Sequence, residues 1–375
     1  MKRISLAILV SALIAALLIL NFGFLSKPQI EKSPDFFVGV DVAYADLPAI
    51  KTLIDKVSSY TNLFVIGSTG ITYEEIKLDE TCQYIYDKGL DFIIYTEREY
   101  YSQLQHQWNE DAKKRWNTHF LGYYFLDEPG GRQLDLAHNV VIEAENFTEA
   151  GNKFVNIYGG FIEYMNYTAS TNSSLFTSDY ALYWFDYKAG YDVMFAEFGW
   201  NYSRQLNVAL NRGAATVQNK DWGVMITWTY NHPPYIESGQ ELYEDMVLAY
   251  NNGAKYILVF DTNKNYTESI LEEEHLEAIE QFWQYALDNP RNNLQVEKRV
   301  AFVLPKGYGY GFRGIDDKIW GLWEADALST EISYHLGTLL EEYGTKLDII
   351  YDDDVEYNEL YSQYIFWNGT IVEES

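Results

Sequence analysis

The sequence predicts an α/β fold: a closed (β/α)8 barrel of the TIM type, followed by a small α/β domain and preceded by a transmembrane helix. Three observations predict it. Strand-like apolar runs start at residues 36, 63, 91 and 120, so 27, 28 and 29 residues apart, with helical stretches between them; this is the rhythm of βαβ units. By residue 260 there are eight such runs, the number that closes a barrel of about 250 residues. Finally, Phe120–Gly131 (FLGYYFLDEPGG) passes from a fully apolar strand to two acids, a proline and two glycines. A strand apolar on both faces belongs in a parallel sheet, and the C-terminal end of such a strand is where these folds place chemistry. A doubly wound open sheet is the alternative reading of the same rhythm.

Residues 1–25 hold Lys2 and Arg3 followed by an apolar run from Ile4 to Leu20. The run is near the length that spans a bilayer, and the basic residues would stay on the cytoplasmic side. No small-residue cleavage site follows, so the segment reads as an uncleaved anchor, with a cleaved signal peptide and a secreted chain as the alternative. Residues 26–34, SKPQIEKSP, form a polar linker.

The barrel is expected over 35–290. Its strands are Phe36–Val42, Leu63–Gly67, Asp91–Tyr95, Phe120–Leu126, Leu175–Ser178, Tyr191–Phe198, Trp222–Trp228 and Lys255–Phe260. Helical periodicity marks Leu47–Tyr60, Tyr73–Gly89, Phe147–Tyr167, Leu206–Val217, Glu241–Gly253 and residues 268–289, two of them closing on glycine. NPRNNLQ then marks a boundary. The small domain, 298–375, has strands at Arg299–Leu304, Lys346–Tyr351 and Tyr364–Trp367 and a helix over Trp323–Tyr343. Its KGYGYGFRG segment matches neither a P-loop nor a dinucleotide fingerprint.

Composition narrows the function. The formal net charge of −28 repels nucleic acid and suits neutral or cationic ligands. One cysteine, Cys82, excludes an intrachain disulfide and a cysteine-rich zinc site, and the six histidines form no HExxH pattern. No cofactor or metal is called for. Six glycosylation sequons, at Asn146, Asn166, Asn172, Asn201, Asn265 and Asn368, fit an extracellular chain. The 33 Tyr and 10 Trp fill a core or stack on sugar rings.

Two carboxyl groups suffice to cleave a glycosidic bond, one giving a proton to the leaving oxygen. Glu128, beside Asp127 and after Tyr123, Tyr124 and Phe125, has the surroundings that keep a carboxyl protonated; capping of the next helix is the competing role. The best second acid is Glu197, ending strand six in YDVMFAEFGWN, unless it merely pairs with an arginine such as Arg212. Other acids at strand ends are Asp41, Glu97, Asp179 and Asp261. A barrel gathers strand ends on one rim, so Asp41, Glu97, Asp127 and Asp179 are candidates for sugar hydroxyls. Tyr124, Trp184, Trp200, Trp228 and Tyr230 are candidate sugar platforms; Tyr44 and Tyr183 share that rim.

LDEPG at the end of a fourth strand resembles the Asn-Glu-Pro element of the large TIM-barrel clan of glycoside hydrolases, with Asp127 in place of asparagine. The resemblance implies that Glu128 is the acid/base. The layout is similar to family 42 β-galactosidases, which implies a flavodoxin- or glutamine-amidotransferase-like second domain. One departure stands out: the clan's nucleophile ends strand seven, and WGVMITWTYN here has no carboxylate; Glu237 lies beyond it. One-step attack by water and participation by the substrate itself therefore stay open. The expectation is a membrane-anchored extracellular glycoside hydrolase acting on an oligosaccharide or glycan. The alternatives are a non-catalytic carbohydrate-binding surface protein on the same scaffold and a metal-dependent hydrolase using the rim carboxylates.

Overall fold

The computed structural model describes residues 36–97, 103–136, 139–169, 173–291, 298–353 and 360–373. The expected anchor or signal peptide, residues 1–25, and the linker, residues 26–34, lie outside them. Among the described residues no helix is long and apolar enough to cross a membrane.

Eight parallel strands close on themselves: β1 (Phe37–Val42), β2 (Leu63–Ile66), β3 (Asp91–Thr96), β4 (Phe120–Phe125), β5 (Ser174–Asp179), β6 (Val193–Phe198), β7 (Asp221–Ile226) and β8 (Tyr256–Phe260). β8 pairs with β1 through Phe37–Asp41, which closes the ring and rules out the open sheet. The helices on its outside are α1 (Leu47–Val57), α2 (Glu75–Asp87), α3 (Gln103–Trp116), α4 (Pro129–Leu134), α5 (Phe147–Ala169), α6 (Tyr183–Ala189), α7 (Arg204–Val217), α8 (Gly239–Asn251) and α9 (Glu273–Asp288). Helices α3, α4 and α6 carry little apolar periodicity, which is why the sequence does not announce them.

Alternate residues of each strand point inward. Phe37, Leu63, Ile93, Tyr124, Phe176, Phe195 and Tyr256 are among the side chains filling the barrel's own interior, separate from the larger core between strands and helices. Phe37 stacks on Tyr256 at 4.9 Å, and Tyr124 packs against Phe195 at 6.2 Å. A barrel plugged this way is no channel, and only its mouth is open to a ligand.

The C-terminal strands β9 (Val300–Leu304), β10 (Leu347–Tyr351), β11 (Gln363–Phe366) and β12 (Ile371–Glu373), with helix α10 (Ala327–Tyr343), form a four-stranded sheet in the order β10-β9-β11-β12. Counted within the sheet this is 2-1-3-4, the opening of the flavodoxin-like order, but β12 runs antiparallel to β11. The sheet docks on α7. A side chain at Gly213 would strike the Ile349 backbone, its Cβ 2.3 Å from the carbonyl oxygen. Arg212 reaches Asp348 at 2.7 Å and the carbonyls of Thr345 and Leu347, and Arg299 holds the other Asp348 oxygen at 2.6 Å. Helix α10 begins at Ala327, later than its sequence pattern suggests, because Trp320 is buried and donates to the Gly307 carbonyl, keeping the preceding chain irregular.

Candidate active site

The turn after β4 is bent by force of local chemistry. Leu126 and Glu128 both take left-handed backbone angles, φ 57° and 48°, a conformation that costs a non-glycine residue free energy and needs support from its surroundings. That support comes from β5. The Glu128 N–H donates to the Ser178 carbonyl at 3.2 Å, and the Thr177 hydroxyl donates to the Leu126 carbonyl at 2.5 Å. Pro129 then opens α4, where a missing N–H is harmless. Gly130 and Gly131 must be glycines: a Cβ on the second would lie 2.2 Å from the Tyr180 ring.

Asp179 is the clamp. Its carboxylate accepts from the N–H groups of Gly130 (2.5 Å), Gly131 (2.9 Å), Tyr180 (2.8 Å) and Ala181 (3.1 Å). It is completely buried and does not line the cleft, so the expected sugar contact at Asp179 gives way to a structural role. Asp186 is also fully buried, its carboxyl raised by burial and then by Asp179.

The open end of the barrel forms a cleft of about 440 Å³. Asp41, Glu97, Asp127, Glu128 and Glu197 bring acid to it from the ends of β1, β3, β4 and β6, and Arg132 supplies a cation. Its aromatic faces include Tyr95, Tyr124, Trp200, Trp228 and Tyr266. Two other expected platforms lie elsewhere. Trp184 is buried on α6 with its ring 5.4 Å from Tyr351 of the small sheet, and Tyr230 is an exposed loop residue beyond the cleft. Tyr44 and Tyr183 are buried and stay outside the lining. Asp261 is consumed by the Ser269 hydroxyl and the N–H groups of Ile270 and Leu271.

Glu128 and Glu197 meet at the centre, within hydrogen-bonding reach of each other. Burial first, then the charges of Glu197 and Asp127, push the Glu128 carboxyl up to about 10. Burial and Asp127 raise Glu197 to about 8, less far because Ser178 and Glu128 hydrogen-bond it. Of the two carboxyls Glu128 is the more strongly raised, and it keeps its proton to the higher pH. Arg212 is no partner of Glu197, being spent on Asp348. Glu237 is held by Arg204 at 2.9 Å and is absent from the cleft lining.

A row of oxygens leads away from Glu197. Ser178 Oγ donates to Glu197 Oε1 at 2.6 Å; Tyr124 Oη lies 2.7 Å from Ser178 Oγ and 2.6 Å from Asp127 Oδ1. Three contacts need three protons. The two hydroxyls bring one each, so the third belongs to a carboxyl at one end. Asp127 is raised by burial, against the pull of Tyr124 and of Arg132 4.0 Å away. Ser178, Tyr95, Tyr266 and Arg132 join the site without having been singled out in the sequence. Strand alternation marks the first two: Ser178 shares the inward face with Phe176, and Tyr95 shares it with Ile93 and Glu97. Arg132 and Tyr266 sit on a short helix and a loop and carry no periodic signal.

Among the described residues no group of three or more His, Cys, Asp or Glu side chains is arranged to hold a metal ion. No residue of the small sheet lines the cleft.

No family model and no curated protein matches the chain. Solved structures with similarity to it include an endocellulase from Pyrococcus horikoshii in complex with cellotetraose, at 8% identity over 68% of this chain and 94% of that one, with a TM-score of 0.44. A glycoside hydrolase family 5 enzyme from Prevotella bryantii in complex with a xyloglucan tetradecasaccharide has 9% identity over 66% and 96%, with a TM-score of 0.42. A family 1 β-glucosidase from Thermotoga maritima has 7% identity over 69% and 99%, with a TM-score of 0.43. All three scores fall below 0.5, and the barrel stands on its own strand pairings.

Proposed function

We propose that this protein is a glycoside hydrolase in which Glu128 is the acid and Glu197 the second carboxylate, acting on an oligosaccharide or glycan. The observation that carries the reading is the Glu128–Glu197 pair: two carboxyls from the ends of separate strands, lining one aromatic cleft and close enough to shift each other. Glu128 keeps its proton at neutral pH and has one to give to a leaving oxygen. Glu197 accepts from Ser178 at 2.6 Å, a bond that favours its anion against the burial and the Asp127 charge that raise it to about 8.

Two carboxyls close enough to shift each other favour the retaining mechanism, which sets them about 5–5.5 Å apart, over the inverting one at roughly 6.5–9.5 Å. In the first step Glu197 attacks the anomeric carbon as the bond to the leaving oxygen breaks, and Glu128 protonates that oxygen. In the second, Glu128 takes a proton from water, which attacks the same carbon and releases Glu197. Tyr95, Trp200, Trp228 and Tyr266 offer faces to the sugar, and Asp41, Glu97 and Asp127 offer acceptors to its hydroxyls.

The test is hydrolysis of a panel of aryl glycosides by the full chain, with proton NMR of the first product anomer. Glu128→Gln and Glu197→Gln should each lower kcat by about 10²–10⁴, with azide restoring a glycosyl azide from Glu197→Ala. A Glu128→Gln protein that cleaves a responsive substrate at the parent rate sinks the reading. A membrane tether and an extracellular location are inferred from Lys2, Arg3 and the apolar run 4–20 alone; a full chain that washes off membranes in high salt would count against the tether.

A further inference from the structure

No residue of the glycine-rich KGYGYGFRG segment lines the cleft. Yet the loop it opens, between β9 and α10, leaves its own sheet and presses on α4, the helix that follows Glu128. A Cβ on Gly311 would lie 2.6 Å from the Leu134 side chain, and one on Gly321 would lie 2.5 Å from the Gln133 carbonyl oxygen. Gln133 is completely buried and has every partner it can take on one side of its amide: its NH2 group donates to the carbonyls of Trp320 and Val141, both at 2.9 Å. Trp320 is pinned in turn, with its ring 4.6 Å from that of Phe185 on α6.

Arg313 closes the outer side of the same contact. Its guanidinium donates to Asp135, the residue after α4, at 2.5 Å, and to both oxygens of Asp317 at 3.0 and 2.7 Å. The other Asp135 oxygen accepts from the Tyr180 hydroxyl at 2.6 Å. Arg313 also lies 5.4 Å from the centre of the Tyr180 ring, the ring that a Cβ on Gly131 would strike. Tyr180 adjoins Asp179, which clamps the first turn of α4. The small helix is thus held at its start by β5 and at its end by the second domain.

Such holding matters because α4 has only six residues. A helix that short depends on tertiary contacts for its existence, and at about 9 Å in length it passes a shift at one end to the other. Glu128 stands directly before it in a left-handed conformation, and Arg132 of the cleft lies on it. Displacing a reacting group by about 1 Å can cost about a hundredfold in rate.

We propose that Arg313, with the β9–α10 loop it belongs to, is a positioning residue for the acid: it fixes the far end of α4 and, through that helix, the orientation of Glu128. This rests on the glycosidase reading of Glu128 and makes the second domain part of the catalytic unit without any contact to sugar. Asp135 is half exposed, so its pair with Arg313 adds little to stability; its effect is on placement.

The experiment uses the full chain carrying Arg313→Ala, with Lys318→Ala as the control that breaks an exposed pair with Glu324 in the same loop. Arg313→Ala should lower kcat by about ten- to a hundredfold. KM should stay within about twofold of the parent, since no group that meets the substrate is removed. Lys318→Ala should leave both at the parent values. Burial is the first cause of the raised Glu128 carboxyl, and the variant leaves Glu197, Asp127 and Arg132 in place. A loosened turn admits water, so the Glu128 carboxyl should titrate at lower pH, followed by carbon NMR and assigned against Glu128→Gln. A folded Arg313→Ala protein with parent kcat, or with kcat kept and KM raised, overturns the proposal. Where Arg313→Ala does not fold, Asp135→Asn cuts the same link from the exposed side and is held to the same criteria. If the unmutated protein cleaves no glycoside, the glycosidase reading fails by itself; the Glu128 titration then decides, a downward shift upholding the positioning role and an unmoved one overturning it.

Discussion

Asp127 and Glu197 are the two ends of one row of oxygens, joined through Tyr124 and Ser178 with spacings of 2.6, 2.7 and 2.6 Å. The protonation of one end is therefore felt at the other. Ser178 contributes the link that touches Glu197 and holds its carboxyl down. Ser178→Ala should raise the Glu197 carboxyl, moving the acid limb of the kcat/KM profile to higher pH and lowering the rate at neutral pH by about ten- to a hundredfold. A pH–rate profile measures both. Tyr124→Phe acts one link further away and should do the same more weakly.

The paired carboxyls make stability fall with alkali. Glu128 and Glu197 are both raised above their ordinary 4.5, to about 10 and about 8. The folded state therefore binds more protons than the unfolded chain above roughly pH 4.5, and the slope of stability with pH is negative there. Their contribution is whole below that pH and is lost as pH rises through about 8 and then about 10. Glu197→Gln removes one of the two charges. Its thermal midpoint should drop less between about pH 6 and about pH 9 than that of the parent, by calorimetry in matched salt.

Asp179 should matter to the reaction without touching sugar. Asp179→Ala strands four N–H groups, two of them at the start of α4. We expect stability to fall by on the order of 3 kcal/mol or more, read by urea unfolding. Where the variant folds, kcat should fall because the left-handed backbone at Glu128 loses its brace. Unchanged stability would refute the clamp.

Asp348 is fully buried between Arg212 and Arg299 and also accepts from the Tyr361 hydroxyl at 2.9 Å. Asp348→Ala takes the balancing carboxylate from two guanidinium groups, that of Arg212 buried, and should cost about 3–5 kcal/mol. The small sheet lines no part of the cleft, so the surviving folded fraction should keep the parent KM; a raised KM would show that the sheet shapes the site.

Much of the barrel was legible because its strands are short, apolar and evenly spaced, and because the acids fall at their ends. Period-two alternation carries further than the spacing does. Phe176 faces the barrel interior, so Ser178 does too, and Asp179 must face away; the same parity puts Asp41, Glu97 and Glu197 inward. The charge of Asp179 points to the cleft, and its strand face points away from it. Trp184 lies away from the cleft for another reason. It sits on a helix whose outer side is covered by a sheet more than a hundred residues later, and no local pattern encodes that cover. Arg132 and Tyr266 depend on the path of a turn and a loop, which only the assembled barrel decides.

Tyr124 has two duties that cannot be separated. Its ring is part of the stuffing of the barrel, against Tyr95 and Phe195, and its hydroxyl is a link in the proton row. Any re-engineering that resizes the layer beneath the mouth will also detune the chemistry above it. Changes of specificity are better sought in the loops after β7 and β8, where Trp228 and Tyr266 can be exchanged while the floor stays put.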